Sequence, residues 1–128
     1  MSTDTYLDTM LEAYLTAAEW TAPDENGEER SHPGGEFVSM ADRDAETVAT
    51  ARQDCTHFYL LAASLLSEWT ADQAGHDFWL TRNGHGTGFW DRGKAHGDAL
   101  SQIAQDLFGE TTEWVDSVTG VLYIDARR

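Results

Sequence analysis

The stretch from residue 76 to residue 97 constrains the fold more than any other, because it gathers glycines and aromatics between two segments of helical periodicity. It holds five of the eleven glycines and two of the five tryptophans. Apolar residues recur there with a period of two, which predicts strands over residues 76–82 and 87–91. The four residues between them, Asn-Gly-His-Gly, begin with the strongest short hairpin signal. We therefore expect a β-hairpin with a histidine at its tip.

The rest of the chain predicts helices and one further hairpin. Apolar residues spaced by three and four indicate helices, with Asp44 as one candidate N-cap of the second and Gly109 ending the third. The expected fold class is α+β: two N-terminal helices, a β-hairpin, a third helix and a C-terminal β-hairpin, the hairpins forming a small antiparallel sheet packed on the helices. The expected ranges are 3–20, 44–69 and 98–108 for the helices, and 112–116 with 121–125 for the second hairpin.

A length of 128 residues corresponds to a single domain. Within it we separate an acidic N-terminal helix and loop, residues 1–37, from a core of helix, hairpin, helix and hairpin, residues 38–128. Residues 24–35 hold glycines, a proline and acids with nothing apolar to bury, which predicts a loop. Gly75 is expected to be the C-cap of a short turn that precedes the first hairpin.

The charge balance is strongly acidic. Aspartate and glutamate number 23 against 8 lysines and arginines, a formal net charge of -15. A chain with this field is not expected to bind DNA or RNA phosphate directly. The charge is also polarised, since residues 1–64 carry a net -10 whereas residues 76–97 carry +1. We therefore expect two surfaces with different roles.

Other classes of protein are disfavoured by what the sequence lacks. No apolar run approaches the roughly 20 residues of a membrane span, and the N-terminus has no signal-peptide pattern, so a cytoplasmic protein is expected. No P-loop or dinucleotide fingerprint is present, so no cofactor is expected. The single cysteine, Cys55, rules out an internal disulfide, and its place on a helical apolar stripe predicts an inert buried thiol.

The run His-Asp-Phe-Trp-Leu-Thr-Arg-Asn-Gly-His-Gly-Thr-Gly-Phe-Trp-Asp-Arg-Gly over residues 76–93 resembles the signature of a family of small proteins encoded by bacteriophages and prophages. The helix over residues 45–66 with its Asp54-Cys55 pair, the start of the last helix at Gly97 and the turn over residues 118–123 are similar to that family as well. The resemblance implies a phage-type accessory protein in the cytoplasm of a bacterial host. It carries no activity over to particular residues.

Six residues in and beside the first hairpin are candidates for contacts with a partner or a ligand. A histidine between two glycines at a turn would be accessible and could exchange a proton near neutral pH. Phe78 and Phe89 are expected in the core, whereas the alternating tryptophans face the opposite side of the ribbon, either under a helix or exposed. The candidate binding residues are Trp79, Arg82, Asn83, His85, Trp90 and Arg92.

An alternative interpretation places hydrolytic chemistry at the same hairpin. There a histidine base would be oriented by an aspartate and assisted by an arginine clamp, and the catalytic candidates are His85, Asp91 and Arg82. The charged residues are equally explained as Asp77–Arg82 and Asp91–Arg92 ion pairs that close the ribbon. A non-enzymatic role is favoured.

A metal-assisted site is a second form of this alternative. It would use the three histidines of the segment, and its candidate ligands are His76, His85 and His96. Their spacings of nine and eleven residues match no ligand motif. The spacing alone therefore does not define a metal site.

The acids of the first half predict a phosphate-like surface that would bind another protein. Such a surface would occupy the basic groove of a nucleic-acid-handling protein of the host or its defences, with electrostatic steering of the encounter. The alternatives are a surface that serves only solubility or halophilic adaptation, and a structural module that forms homo-oligomers. The residues expected on the acidic surface are Asp24, Glu25, Glu28, Glu29, Asp42, Asp44 and Glu46.

Overall fold

A computed structural model describes residues 2–30 and 43–125. Over these ranges the chain is α+β, as predicted, with four α-helices followed by a two-stranded antiparallel sheet. The layout differs from the expected one, because one of the two predicted hairpins is replaced by a helix. The helices are α1 Thr3–Thr21, α2 Ala45–Ala62, α3 Ala71–Arg82 and α4 Gly97–Ile103, and the strands are β1 Thr112–Val115 and β2 Leu122–Asp125.

The first two helices both have side-chain N-caps, and α2 begins directly after Asp44, one of the two N-cap candidates, the other being Ser39 with Asp42. Ser2 caps α1, since its Oγ accepts a hydrogen bond of 3.2 Å from the backbone N–H of Thr5. Asp44 caps α2 in the same way, accepting 2.9 Å from the backbone N–H of Thr47. The second helix is shorter than predicted, because the α-helix ends at Ala62 and a 3₁₀ turn follows it.

The first predicted hairpin is wrong, because residues 76–82 form the C-terminal part of α3. Side chains on every face of this segment are buried, among them Phe78, Trp79 and Leu80. A helix buried all round has no polar stripe, so its sequence lacks the 3.6-residue period that distinguishes a helix from a strand. The pattern that predicted a strand over residues 76–82 is therefore explained by burial of the helix.

The Asn-Gly pair ends α3 and does not turn a hairpin. Gly84 has a φ of 68°, and its N–H donates to the carbonyl of Thr81 at 3.2 Å. The N–H of His85 donates to the carbonyl of Leu80 at 3.0 Å. These two bonds form a Schellman C-cap, which requires the same positive-φ glycine as a tight hairpin turn. The Asn-Gly pair thus correctly predicted a turn, but the turn ends a helix and does not connect two strands.

The second predicted strand of that hairpin is also wrong, because Phe89–Asp91 form a 3₁₀ turn. The backbone N–H of Phe89 donates to the Thr81 hydroxyl at 3.1 Å, which ties the turn to α3. Gly88 lies so close to α3 that an added Cβ would stand 2.1 Å from Thr81 Oγ1. The turn thereby places the Phe89 ring in the core, as predicted.

The helices α1 and α3 pack side by side with their backbones in contact. A Cβ added to Gly75 would lie 2.0 Å from the carbonyl oxygen of Met10, so only glycine fits there. Four residues further along α1 and three further along α3, the rings of Tyr14 and Phe78 lie 5.4 Å apart. Contacts thus advance in the same direction along both helices, and α1 runs parallel to α3. The prediction of Gly75 as a C-cap is wrong, since it lies inside α3 at this contact.

The C-terminal part of the fold follows the prediction. α4 continues into a π-helical turn, Ala104–Phe108, and the helix ends at Gly109 with a φ of 69°. The C-terminal hairpin is antiparallel, with Val115 opposite Leu122. The backbone N–H of Val115 also donates to the carbonyl of Pro23 at 2.8 Å, which joins the hairpin to the segment after α1.

Aromatic rings from several elements form the centre of the core. The Phe58 ring of α2 stacks on Phe78 at 4.2 Å and on Phe89 at 5.6 Å. All three rings are 0% exposed, which confirms the predicted core position of the latter two. Within the described ranges, none of the helices combines the length and the apolar character that a membrane crossing requires.

Candidate functional site

Arg82, a candidate for both binding and catalysis, lies in the core and is 2% exposed. Its Nη1 donates to Asp54 Oδ2 at 2.8 Å and to the Tyr14 hydroxyl at 3.1 Å. Its Nε donates to the carbonyl of Gly109 at 2.7 Å, and its Nη2 to that of Phe108 at 3.2 Å. Because α3 is a helix, its last residue points into the core and not to a hairpin tip. Arg82 therefore holds helices together and does not present a charge to a partner.

Asp77 pairs with Arg92 and not with Arg82. Arg92 Nη2 lies 2.6 Å from Asp77 Oδ1 and its Nε lies 3.0 Å from Oδ2, while His76 Nδ1 lies 3.1 Å from Oδ1. Burial on its own would raise the pKa of the Asp77 carboxyl, but the hydrogen bonds from His76 and Arg92 and the charge of Arg92 bring that pKa below 3.8. The expected Asp91–Arg92 pair is only a 3.9 Å contact.

Asn83 and His85 flank the C-cap of α3. The Asn83 amide donates to the carbonyl of Trp79 at 3.2 Å and accepts 2.8 Å from the backbone N–H of Thr111, so it joins α3 to the segment before β1. His85 is half-buried, and within the described part of the chain its Nε2 has no hydrogen-bond partner. Burial lowers the pKa of His85 below 6.5, so the ring is neutral at neutral pH.

The two candidate tryptophans differ in exposure. Trp79 is 0% exposed, and its Nε1 donates to Thr21 Oγ1 at 2.8 Å. Trp90 is 49% exposed and borders a cavity of about 440 Å³ that is also lined by Lys94 and His96. Trp79 therefore belongs to the contact between α1 and α3, and Trp90 alone of the pair is open to a partner.

Asp91, one of the hydrolytic candidates, is bonded within its own local turn. The Asp91 carboxylate accepts from Thr87 Oγ1 at 2.9 Å and from the backbone N–H of Gly88 at 3.0 Å, so it caps the 3₁₀ turn. Over residues 2–30 and 43–125, no hydrogen bond or ion pair joins Asp91 to His85 or to Arg82. Arg82 and Asp91 thus each have other structural partners.

The three candidate metal ligands belong to different local structures. His76 is exposed on α3, His85 follows the end of that helix, and His96 precedes α4 with a φ of 67°. In the part of the chain that the structure describes, no three His, Cys, Asp or Glu side chains are grouped closely enough to hold a metal ion.

The predicted acidic surface is present in part. Asp24 and Asp44 are half-buried and make local bonds, with Asp24 Oδ1 accepting 2.9 Å from the backbone N–H of Glu28. Asp42 lies outside the described residues. The exposed members are Glu25, Glu28, Glu29 and Glu46.

Exposed acids extend well beyond the predicted set. Each lysine and arginine within the described ranges donates to an acceptor of the protein itself. Among those residues only one base, Arg52, is exposed, and its Nη1 lies 3.1 Å from Asp8 Oδ1. Twelve exposed carboxylates face solvent over the same ranges: Asp4, Asp8, Glu25, Glu28, Glu29, Glu46, Glu68, Asp72, Asp91, Asp98, Asp106 and Glu110.

A groove runs between the outer edges of α1 and α3, and we call it the α1–α3 groove. Its first compartment has a volume of about 560 Å³. A second compartment of about 250 Å³ adjoins it and shares the side chains of Thr16 and His76. The first is lined by Asp8, Thr9, Glu12, Ala13, Thr16, Asp72, Gln73 and His76, and the second adds Ala17, Trp20, Thr21 and Leu80.

The two compartments differ in chemistry. Carboxylates from both helices border the first, and the side-chain hydrogen bond from Thr70 lowers the pKa of Asp72 below 3.8, so this carboxyl is ionised at neutral pH. The second compartment ends at Trp20, which is 54% exposed. Both compartments have largely apolar walls, with carboxylates at the edge of the first and a tryptophan at the end of the second.

The sequence analysis did not find this groove. Its walls exist only because α1 and α3 lie in parallel contact, and residues 76–82 were expected to be a strand. One signal was present: the small residues Thr9, Ala13 and Thr16 recur at helical spacing beside the apolar face of α1. Small residues at that spacing leave room for another helix to approach, or leave a groove where none does.

Comparisons of the chain with protein-family models, with curated proteins and with solved structures find no match.

Proposed function

We propose that the protein is a small phage-type accessory protein that acts by binding another protein in the cytoplasm of a bacterial host. Its acidic surface occupies the basic face with which a nucleic-acid-handling or defence protein of the host binds phosphate. Binding of this kind needs no catalytic group, and Arg82 and Asp91 are held by other structural partners.

One observation carries this proposal: over the described residues, twelve carboxylates are exposed and Arg52 is the single exposed base. The bases are held in internal contacts, so the field outside the molecule is set by the acids. Carboxylates on a folded surface keep fixed positions, whereas those of a disordered acidic tail do not. A fixed array of negative charge fits a rigid basic groove and speeds the encounter with it.

The experiment is affinity capture of bacterial lysate proteins on the immobilised protein, followed by elution with duplex DNA or with salt. We expect the captured proteins to be released by DNA, because both ligands need the same basic face. We also expect release at about 0.5 M NaCl, where the Debye length is about 4 Å.

A matched control separates the folded surface from mere negative charge. Gly75→Val keeps the net charge of -15, but its side chain overlaps the Met10 carbonyl, so the fold is lost while the charge remains. Captured proteins should be absent from this variant. Equal capture by both baits, or captured proteins that resist DNA and salt, would contradict the proposal.

Self-association is a second candidate function, favoured by two exposed leucines at the end of α2. Leu60 is 72% exposed and Leu61 is 45% exposed, and neighbouring apolar side chains at the surface are typical of interfaces. If the protein forms homo-oligomers through them, light scattering will give a mass above 14.2 kDa that falls to the monomer value in Leu60→Ser/Leu61→Ser. A monomeric wild type would exclude this function.

A further inference from the structure

We infer that the α1–α3 groove binds an amphipathic α-helix of the partner protein, with lysine or arginine at the end near Asp72 and an apolar side chain against Trp20. This inference rests on the proposed function, since it names the segment of the basic partner that makes the specific contact. The rest of the acidic surface then steers the encounter, and the groove selects the partner.

The dimensions of the groove fit a short helix. Asp8 and Trp20 are twelve positions apart on α1, which corresponds to about 18 Å or a little over three helical turns. The wall between them includes Glu12 and the small side chains of Thr9, Ala13 and Thr16. Small residues allow a third helix to approach closely, and α1 with α3 supplies the two parallel ridges between which it lies.

The acidic end favours a cationic side chain in spite of two nearby arginines. Arg43 contacts Glu12 at 2.8 Å, but its side chain is 1% exposed while that of Glu12 is 47% exposed, so the carboxylate is what faces the groove. Arg52 pairs with Asp8 on an exposed surface, where such a pair is weak. Asp72 contributes a further charge from α3.

The other end of the groove favours an apolar side chain. Trp20 keeps 54% of its surface exposed although it borders Ala17 and Leu80, so its ring forms one wall of an apolar recess. Tryptophan is enriched among the residues that dominate binding energy at protein interfaces. A ligand that is basic at one end of its contact face and apolar at the other therefore complements the whole groove.

The probe for this inference is a fluorescein-labelled, lactam-stabilised helical peptide of about four turns. It carries two lysines at the first end of its contact face and two leucines at the other. One comparison peptide replaces the leucines with serine, and another replaces the lysines with glutamate. Fluorescence anisotropy gives the affinity, and amide chemical-shift mapping by NMR gives the location on the ¹⁵N-labelled protein.

Matched variants distinguish the groove from the general field. Asp8→Asn/Asp72→Asn and Trp20→Ser alter the groove, and we expect each to weaken peptide binding about fivefold or more. Glu68→Gln/Asp106→Asn removes the same charge elsewhere, and Leu107→Ser removes an apolar side chain that is 60% exposed outside the groove. These two controls should leave the affinity within about twofold, and shifts should map to α1 and α3.

Three results would overturn the inference: no binding of the peptide, equal losses in the groove and control variants, or shifts centred outside the groove. The lysate experiment then decides the proposed function separately. If DNA releases the captured proteins but the peptide does not bind the groove, the proposed function is supported and the inference about the groove is contradicted. If the peptide does not bind and DNA does not release the captured proteins, both the groove inference and the proposed function are contradicted.

Discussion

Arg82 Nη1 lies 2.8 Å from Asp54 Oδ2, and the two side chains are 0% and 1% exposed. Asp54 belongs to α2 and Arg82 ends α3, while the Tyr14 hydroxyl on α1 accepts a second bond from the same Nη1. Three helices are thus joined at one guanidinium. The bond to Tyr14 joins α1 to α3, the two helices that border the groove.

Removing one partner of this pair should destabilise the fold severely. In Arg82→Met the Asp54 carboxylate stays buried without its guanidinium, and we expect the free energy of unfolding to fall by about 3–5 kcal/mol. Urea unfolding at pH 7 measures the loss. The double variant Arg82→Met/Asp54→Leu should regain a large part of it, because no charge is then left buried. A single variant as stable as the wild type would contradict this account.

The contact between Gly75 and Met10 predicts a substitution that runs against helix propensity. Alanine normally stabilises the middle of a helix by about 1 kcal/mol over glycine. At Gly75 its Cβ would lie 2.0 Å from a carbonyl oxygen, so we expect Gly75→Ala to lose about 1–3 kcal/mol instead. Gly86→Ala is the control, since a Cβ there meets nothing within 4 Å, and its thermal midpoint should stay near that of the wild type.

Elements with a one-sided apolar pattern could be predicted from the sequence. α1 buries Leu11, Tyr14 and Leu15 on one face, and its polar face leaves a clear helical period. Residues 77–82 of α3 are all buried, so this part of the helix has no such period and the sequence favoured a strand. Only the packing of α1, α2 and the 3₁₀ turn around α3 reveals it as a helix.

The candidate site was predicted less well than the fold, for a related reason. The charged side chains of Arg82, Asp77 and Arg92 indicated ion pairs. The partner of each residue, however, depends on which helices and turns are in contact. Arg82 meets Asp54 because α3 is a helix, and Arg92 meets Asp77 for the same reason. The acidity was evident from composition, whereas the groove depends on contacts between residues far apart in sequence, such as Tyr14 and Phe78, which are 64 positions apart.

The Asp77–Arg92 pair predicts a loss of stability in acid. Asp77 has a pKa below 3.8 in the folded protein, so its contribution is fully present above pH 3.8 and is lost as the pH falls through the lowered value. Asp77→Asn should therefore be less stable than the wild type at pH 7. The difference between the two proteins should shrink below pH 3.8, as measured by urea unfolding at several pH values. A difference that does not change with pH would exclude an ionic contribution.

Cys55 should be inert in the folded protein. Its side chain lies in the core at 1% exposure, and burial raises the pKa of the thiol, so little thiolate is present near neutral pH. We expect reaction with a chromogenic disulfide reagent only after denaturant is added. Rapid labelling of the native protein, with its circular dichroism spectrum unchanged, would show that the thiol is accessible.

Glu113 on β1 should destabilise the fold at neutral pH. Burial raises the pKa of its carboxyl above 4.5 and outweighs the hydrogen bond of 2.9 Å from Thr111 Oγ1. A raised folded-state pKa means that stability is favoured below pH 4.5 and is lost as the pH rises through the folded value. Glu113→Gln keeps the shape and an acceptor oxygen without the charge, so its thermal midpoint at pH 7 should exceed that of the wild type. The gain in thermal midpoint should vanish below pH 4.5. The control Glu68→Gln, at an exposed position, should show no comparable gain. A lower midpoint for Glu113→Gln than for the wild type at pH 7 would contradict the predicted sign.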